Sequence, residues 1–146
     1  MKFVKLLPAL ALGMAYAAQA DINVGVTLSA TGPAASLGIP EKNTFELLPT
    51  SIGGEKINWI VLDDASDTTR AVTNTRRFLS ENKVDVVVGS TITPNSLAMV
   101  DVVADAETPM ISMAASARIV DPANPKTRWV FKTPQSDSLM ADAIAI

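Results

Sequence analysis

Two apolar stretches, each followed by a hydroxyl-rich loop, constrain the fold of this chain most. Residues 84–88 (VDVVV) precede the loop 90–96 (STITPNS), and residues 109–112 (PMIS) precede the loop 113–116 (MAAS). A near-continuous β-branched run such as the first is typical of a strand buried on both faces, which favours a parallel sheet covered by helices. In such sheets small ligands bind just outside the carboxyl ends of the strands. Hydroxyls, free backbone N–H groups and a helix N-terminus at those ends suit a small anion such as a carboxylate.

The N-terminal residues predict export from the cytoplasm. A short basic segment with Lys2 and Lys5 precedes the mainly apolar residues 6–17, and residues 18–20 (AQA) have the small-x-small pattern of a cleavage site. This order is typical of a secretory signal peptide, and the apolar segment is shorter than the roughly 20 residues of a membrane-spanning helix. We therefore predict a signal peptide at residues 1–20, a mature chain that begins at Asp21, a periplasmic location, and no membrane insertion after cleavage.

The composition excludes several function classes. The chain has 12 basic and 15 acidic residues and neither cysteine nor histidine. Without a basic cluster it is not expected to bind nucleic acid, and without cysteine or histidine it has no thiol chemistry, no Ser-His-Asp triad and no common zinc ligand set. No Walker loop, nucleophile elbow or Ser-x-x-Lys motif is present. We expect a non-enzyme that uses neither a metal nor another cofactor.

Strands and helices alternate along the predicted mature chain. Helix N-caps are predicted at Ser36, Asp67, Thr93 (with Pro94 in the first helical position) and Ser136 or Asp137. The first two helices are expected to run to about Leu48 and Asn82. The predicted strands are residues 22–28, 57–62, 84–88, 109–112 and 129–132. This alternation predicts an α/β fold with a doubly wound parallel sheet. The last predicted helix has no closing residue, and we expect a truncated chain.

Acidic residues at the end of the second strand leave an alternative open. Asp63 and Asp64 could act as a metal-binding or acid–base pair, and with Lys132 after the last strand they resemble the polar set of a receiver-like or other α/β domain. A turn at the strand end, followed by the Asp67 cap, is the favoured interpretation. The acidic pair of a receiver follows its first strand, whereas here it follows the second, and Gly89 occupies the position of the phosphoacceptor.

The order of five segments resembles the type I periplasmic binding proteins, and among them the branched-chain amino acid (leucine, isoleucine and valine) binding proteins of ABC importers. The segments are VGVTLSATGPAASLG, IVLDDASD, VVVGSTITPNS, PMISMAASA and RWVFKTPQSD. Proteins of this family close two α/β lobes on a ligand like a clamp. The resemblance implies that residues 21–146 are a partial N-terminal lobe. It also implies that the ligand is an amino acid, most simply a branched-chain one, or a related small carboxylate, and that the partner is the importer's membrane permease.

The family's ligand contacts can be carried over to four positions. The resemblance implies that the hydroxyl groups of Thr93 and Ser116 bind the ligand carboxylate and that the carbonyl of Ala114 accepts the ligand ammonium. It also places Leu37, where relatives often have an aromatic ring, in the pocket wall. From its place near the strand end, and apart from the resemblance, Thr91 could also line the cleft, although a local turn hydrogen bond is the favoured interpretation of this residue.

Overall fold

The computed structural model describes residues 21–145, so the predicted signal peptide lies outside the described residues. This part of the chain forms six strands, four α-helices and short helical turns. The strands are β1 (Ile22–Leu28), β2 (Ser51–Ile52), β3 (Glu55–Asp63), β4 (Val86–Val88), β5 (Met110–Ser112) and β6 (Val130–Lys132). The α-helices are α1 (Ala35–Glu46), α2 (Thr68–Arg77), α3 (Thr93–Asp105) and α4 (Asp137–Ile144). None of the helices in residues 21–145 has the length and apolar character needed to cross a membrane.

The strands form one sheet in the order β2-β3-β1-β4-β5-β6. Every pairing is parallel except the short β2–β3 hairpin at one edge, which the sequence did not predict and in which Ser51 lies opposite Lys56. The chain leaves β1 towards β3 and then returns to β4 on the other side of β1, so the winding direction reverses there. Ligands of doubly wound sheets bind outside the strand ends at this kind of reversal.

One face of the sheet is covered by α2 and α3. Its core includes Phe78, Val87, Met99 and Met110, all fully buried. Phe78 packs over β1 at Gly25, where a Cβ atom would lie 2.5 Å from the Phe78 ring. Glycine at this position therefore lets the helix lie close to the strand.

The opposite face is covered by α1. Here Val24 and Val26 of β1 pack with Phe45 of α1 and Trp59 of β3. The two rings lie 5.7 Å apart at 55°, and the indole N–H of Trp59 donates to the carbonyl of Pro49. Helices therefore cover both faces, which confirms the predicted doubly wound α/β fold.

Two of the predicted helix caps are wrong. The cap position of α1 is Ala34, so Ser36 lies in the first turn of the helix, which ends at Glu46 rather than Leu48. The cap position of α3 is Ile92, which makes Thr93 the first helical residue and leaves its side chain free of the capping role. In both cases the predicted polar residue stands one or two positions inside the helix.

The other two helix starts agree better with the prediction. Asp67 caps α2, since its side chain accepts a hydrogen bond from the N–H of Arg70. Ser136 takes the cap position of α4 without a side-chain hydrogen bond. After Arg77 the helical path continues as a π-helical turn, Phe78–Asn82, which ends at Lys83 in the left-handed conformation.

Candidate ligand-binding site

The candidate site lies where the loops after β1 and β4 meet at the carboxyl edge of the sheet. The N–H of Ser29, directly after β1, donates to the hydroxyl oxygen of Thr91 at 2.9 Å. The Thr91 hydroxyl in turn donates to Glu41 of α1. Gly38 allows α1 to approach this point, because a Cβ atom there would lie 2.1 Å from the carbonyl oxygen of Ser29. These contacts connect α1 to the ends of β1 and β4, the two strands between which the winding direction reverses.

A fully buried carboxylate lies beneath these loops. Asp64 accepts hydrogen bonds from the hydroxyls of Ser29 at 2.8 Å, Ser90 at 2.6 Å and Thr27 at 3.4 Å, and from the N–H of Ser66 at 3.0 Å. Each partner is a donor, so the charge is compensated without a cation. Asp64 therefore ties the ends of β1, β3 and β4 together.

The neighbouring Asp63 points to the surface. It accepts from the hydroxyl and N–H of Thr31 and from the N–H of Ala65. Partial burial acts to raise the pKa of Asp63, but these hydrogen bonds to the charged form outweigh it and hold the pKa below its usual value. Asp63 therefore stabilises the loop after β1, in agreement with the interpretation of this region as a strand-end turn.

The alternative use of Asp63 and Asp64 with Lys132 is not supported by the fold. Lys132 lies on β6, four strand spacings from β3 in the sheet order, a separation of about 19 Å. Its ammonium group donates to the carbonyls of Ala115 and Pro134. In residues 21–145 there is also no group of three or more acidic side chains placed to hold a metal ion.

A second hydroxyl chain joins the loops after β4 and β5. The N–H of Ser90 donates to the hydroxyl of Ser96, which itself accepts from the hydroxyl of Ser112 at 2.8 Å. The Ser112 hydroxyl oxygen then accepts from the N–H of Ala114 at 3.1 Å. All three serines are fully buried. This chain fixes the loop that carries Thr93 relative to the loop that carries Ala114.

The residues predicted for ligand contact occupy three neighbouring elements. Thr93 is half-buried, and its hydroxyl makes no hydrogen bond to any described residue. Ser116 is half-buried and accepts a long hydrogen bond from the N–H of Arg118. The carbonyl of the buried Ala114 has no hydrogen-bond donor among residues 21–145. Leu37 is 59% exposed in the first turn of α1, whereas Thr91 is buried and engaged by its two partners.

Sequence reasoning missed Glu41. Its side chain is half-buried, and its pKa is raised by burial and by the negative charge of Asp64, against the lowering effect of the Thr91 hydrogen bond. One feature of the sequence could have indicated that Glu41 lies near the site. Glu41 follows the predicted pocket residue Leu37 by four residues and therefore shares its face of the helix.

Comparisons with known proteins agree with the fold. A family model described as periplasmic binding protein matches residues 21–145. An extracellular ligand-binding receptor from Rhodopseudomonas palustris HaA2 is 49% identical, with a TM-score of 0.84 over 86% of this chain and 35% of that one. The comparison with curated proteins gives no match.

Two further solved structures are more distant. A solute-binding protein of an ABC transporter from R. palustris BisB5, in complex with 3,4-dihydroxybenzoic acid, is 26% identical, with a TM-score of 0.73 over 80% of this chain and 32% of that one. The branched-chain amino acid substrate-binding protein LivJ from Streptococcus pneumoniae, in complex with isoleucine, is 23% identical, with a TM-score of 0.70 over 82% and 35%. The present chain thus spans about a third of the length of these proteins.

Proposed function

Since the chain belongs to the periplasmic binding protein family, we propose that it forms part of the N-terminal lobe of a solute-binding protein that serves an ABC importer. The proposed location is the periplasm, reached through the signal peptide at residues 1–20, with residues 21–146 forming the lobe segment. The proposed role is capture of a ligand without chemical conversion. Closure of a second lobe over the ligand would create the form that the membrane permease recognises.

The proposed ligand is an amino acid, most simply a branched-chain one, or a related small carboxylate. The observation that carries this proposal is the hydroxyl of Thr93, which has no partner among the described residues and stands at the start of a 13-residue helix beside the winding reversal. A helix N-terminus favours an anion. Isoleucine and 3,4-dihydroxybenzoic acid, the ligands of the two distant relatives, share a carboxylate.

The remaining predicted contacts fit the same ligand. In this proposal Ser116 donates its hydroxyl to the carboxylate, and the carbonyl of Ala114 accepts from the ammonium. Leu37 and Thr91 form the near wall of the pocket. Because Ala114 is held by the buried serine chain, its carbonyl keeps a fixed position relative to the start of α3.

The experiment that tests the proposal is an NMR titration of the purified chain with leucine and with leucinamide, in which an amide replaces the carboxylate. Leucine is expected to shift the backbone resonances of Thr93 and Ser116 in a saturable way, and leucinamide is expected to leave them unchanged. A titration with 3,4-dihydroxybenzoate extends the test to acids without an amine. Absence of saturable shifts with both acids, in this chain and in a full-length version that includes the second lobe, would refute the carboxylate site, and equal shifts with leucine and leucinamide would refute the role of the anion.

A further inference from the structure

Glu41 is a half-buried carboxylate that lacks a cation. One of its oxygens accepts from the Thr91 hydroxyl, and the other makes no hydrogen bond to a described residue. Within residues 21–145 no lysine or arginine pairs with it, and the adjacent Lys42 pairs instead with Glu46 at 3.6 Å. Removing part of a charged group from water costs free energy, which a paired charge or hydrogen bonds can offset. One oxygen of Glu41 is therefore available to a positive charge that the described part of the chain does not supply.

The electrostatic surroundings of Glu41 agree with this. Burial is the largest cause that raises its pKa, and the charge of Asp64 acts in the same direction. Both effects disfavour the ionised carboxylate in the absence of a cation. A cation bound beside Glu41 would favour the ionised carboxylate and lower its pKa.

The position of Glu41 connects it to the proposed pocket. It lies one helical turn after Leu37, on the same side of α1. Its hydrogen-bond partner Thr91 is two residues before Thr93 in the loop after β4. The close approach of Gly38 to Ser29 fixes the distance between the helix and this loop. The carboxylate is thus built into the wall of the site that we assign to the ligand.

We propose that Glu41 binds the ammonium group of the ligand and thereby selects zwitterionic amino acids over acids that lack the amine. This inference rests on the proposed function, because it requires that a ligand carboxylate lies at Thr93. The negative charge of Glu41 repels the carboxylate of any acidic ligand. Attraction between Glu41 and a ligand ammonium group offsets this repulsion, and a simple carboxylic acid has no such group. In this proposal the ligand ammonium is bound by a charged acceptor, Glu41, in addition to the neutral carbonyl of Ala114.

The test compares leucine with 4-methylpentanoate, which is leucine without its amine, on the wild type, Glu41→Gln and the control Glu46→Gln. Glutamine keeps an acceptor for the Thr91 hydroxyl and removes the charge. We expect the wild type to bind leucine at least tenfold more tightly than 4-methylpentanoate. Glu41→Gln should weaken leucine binding at least tenfold and leave 4-methylpentanoate unchanged or tighter, whereas Glu46→Gln should change neither.

The outcomes separate this inference from the proposed function. Saturable binding of both acids with equal affinity, or leucine binding that Glu41→Gln does not change, would overturn the role of Glu41 and leave the carboxylate site standing. Failure of both acids to bind would overturn both proposals. If Glu41→Gln does not fold, a carbon-13 NMR titration of Glu41 in the wild type decides the question, because bound leucine must lower the pKa of Glu41 and an unchanged pKa refutes the inference.

Discussion

Replacement of Asp64 by alanine is expected to be among the most destabilising changes at the candidate site. The buried carboxylate accepts from the hydroxyls of Ser29, Ser90 and Thr27 and from the N–H of Ser66. Each buried donor that is left unpaired costs about 1–3 kcal/mol, and hydroxyls can turn to other acceptors more easily than an N–H group can. If two of the four donors remain unpaired, Asp64→Ala lowers the free energy of unfolding by about 2–6 kcal/mol.

Asp64→Asn provides the matched comparison. The amide has the same shape and keeps one oxygen acceptor for Ser29 and Ser66, while its new NH₂ group faces the hydroxyl of Ser90. That hydroxyl can accept instead of donate, so most of the hydrogen bonds persist in altered form. The expected cost is about 1–2 kcal/mol, clearly smaller than that of alanine.

Urea unfolding of the purified chain, followed by circular dichroism, measures both variants. The change in stability is taken from the midpoint at constant slope, since a changed slope indicates a different unfolded or native state. Glu107→Ala is the control, because the pair Glu107–Arg128 is exposed and should be worth less than about 1 kcal/mol. A cost of Asp64→Ala no greater than that of the control, or a cost of Asp64→Asn equal to that of alanine, would refute the reasoning. If Asp64→Ala does not fold, the size of the Asp64→Asn effect still decides it.

Three other outcomes are expected. In a full-length version of the protein, Thr93→Ala should weaken binding of the carboxylate ligand at least tenfold, as expected for a lost hydrogen bond of about 1.5–3 kcal/mol to a charged group, while the exposed control Thr73→Ala on α2 should not change the dissociation constant. Gly89→Ala should destabilise the chain by more than about 2 kcal/mol in urea unfolding, because Gly89 has a φ of 131° and a Cβ atom would lie 2.0 Å from the carbonyl oxygen of Thr27; a cost under about 0.5 kcal/mol would contradict this. Because the pKa of Glu41 is raised above 4.5 by burial, the folded state binds more protons there than the unfolded state does. Stability relative to Glu41→Gln should therefore fall as the pH rises from 4.5 through the raised pKa, and a constant difference in thermal unfolding over that range would be evidence against it.

Local patterns in the sequence were sufficient to predict the parallel, doubly wound part of the sheet. Residues 84–88 and 22–28 have the apolar character that burial on both faces requires, and the structure places their strands side by side in the middle of the sheet. The Asp67 cap was predicted correctly because its partner is three residues away, within the range that local spacing describes. Interactions between sequence neighbours are therefore the part of the fold that a single sequence reveals.

The parts that escaped prediction depend on contacts between distant residues. Thr93 is a residue type that often caps helices, but the loop after β4 is held by hydrogen bonds to Asp64 and Ser96, and α3 starts one residue closer to the N-terminus than predicted. Glu41 is 50 residues from Thr91 along the chain, and its spacing from Leu37 indicates a shared helix face but not the contact with Thr91. The β2–β3 hairpin has only two paired positions, too few for an alternating pattern.

The hydrogen bonding of Asp64 differs from that of Glu41, and the two acids therefore suit different roles. Asp64 is fully buried and receives donors from several strand ends, so its charge is compensated within the protein and it can hold the loops in place before any ligand arrives. A site that is ordered in advance loses less conformational entropy on binding. Glu41 is only half-buried, and one of its oxygens lacks a donor among the described residues. A carboxylate whose hydrogen bonds are complete serves the structure, whereas one that is left incomplete beside a pocket can bind a cation. This difference makes Glu41, and not the more deeply buried Asp64, the acid through which the lobe would distinguish an amino acid from a simple carboxylic acid.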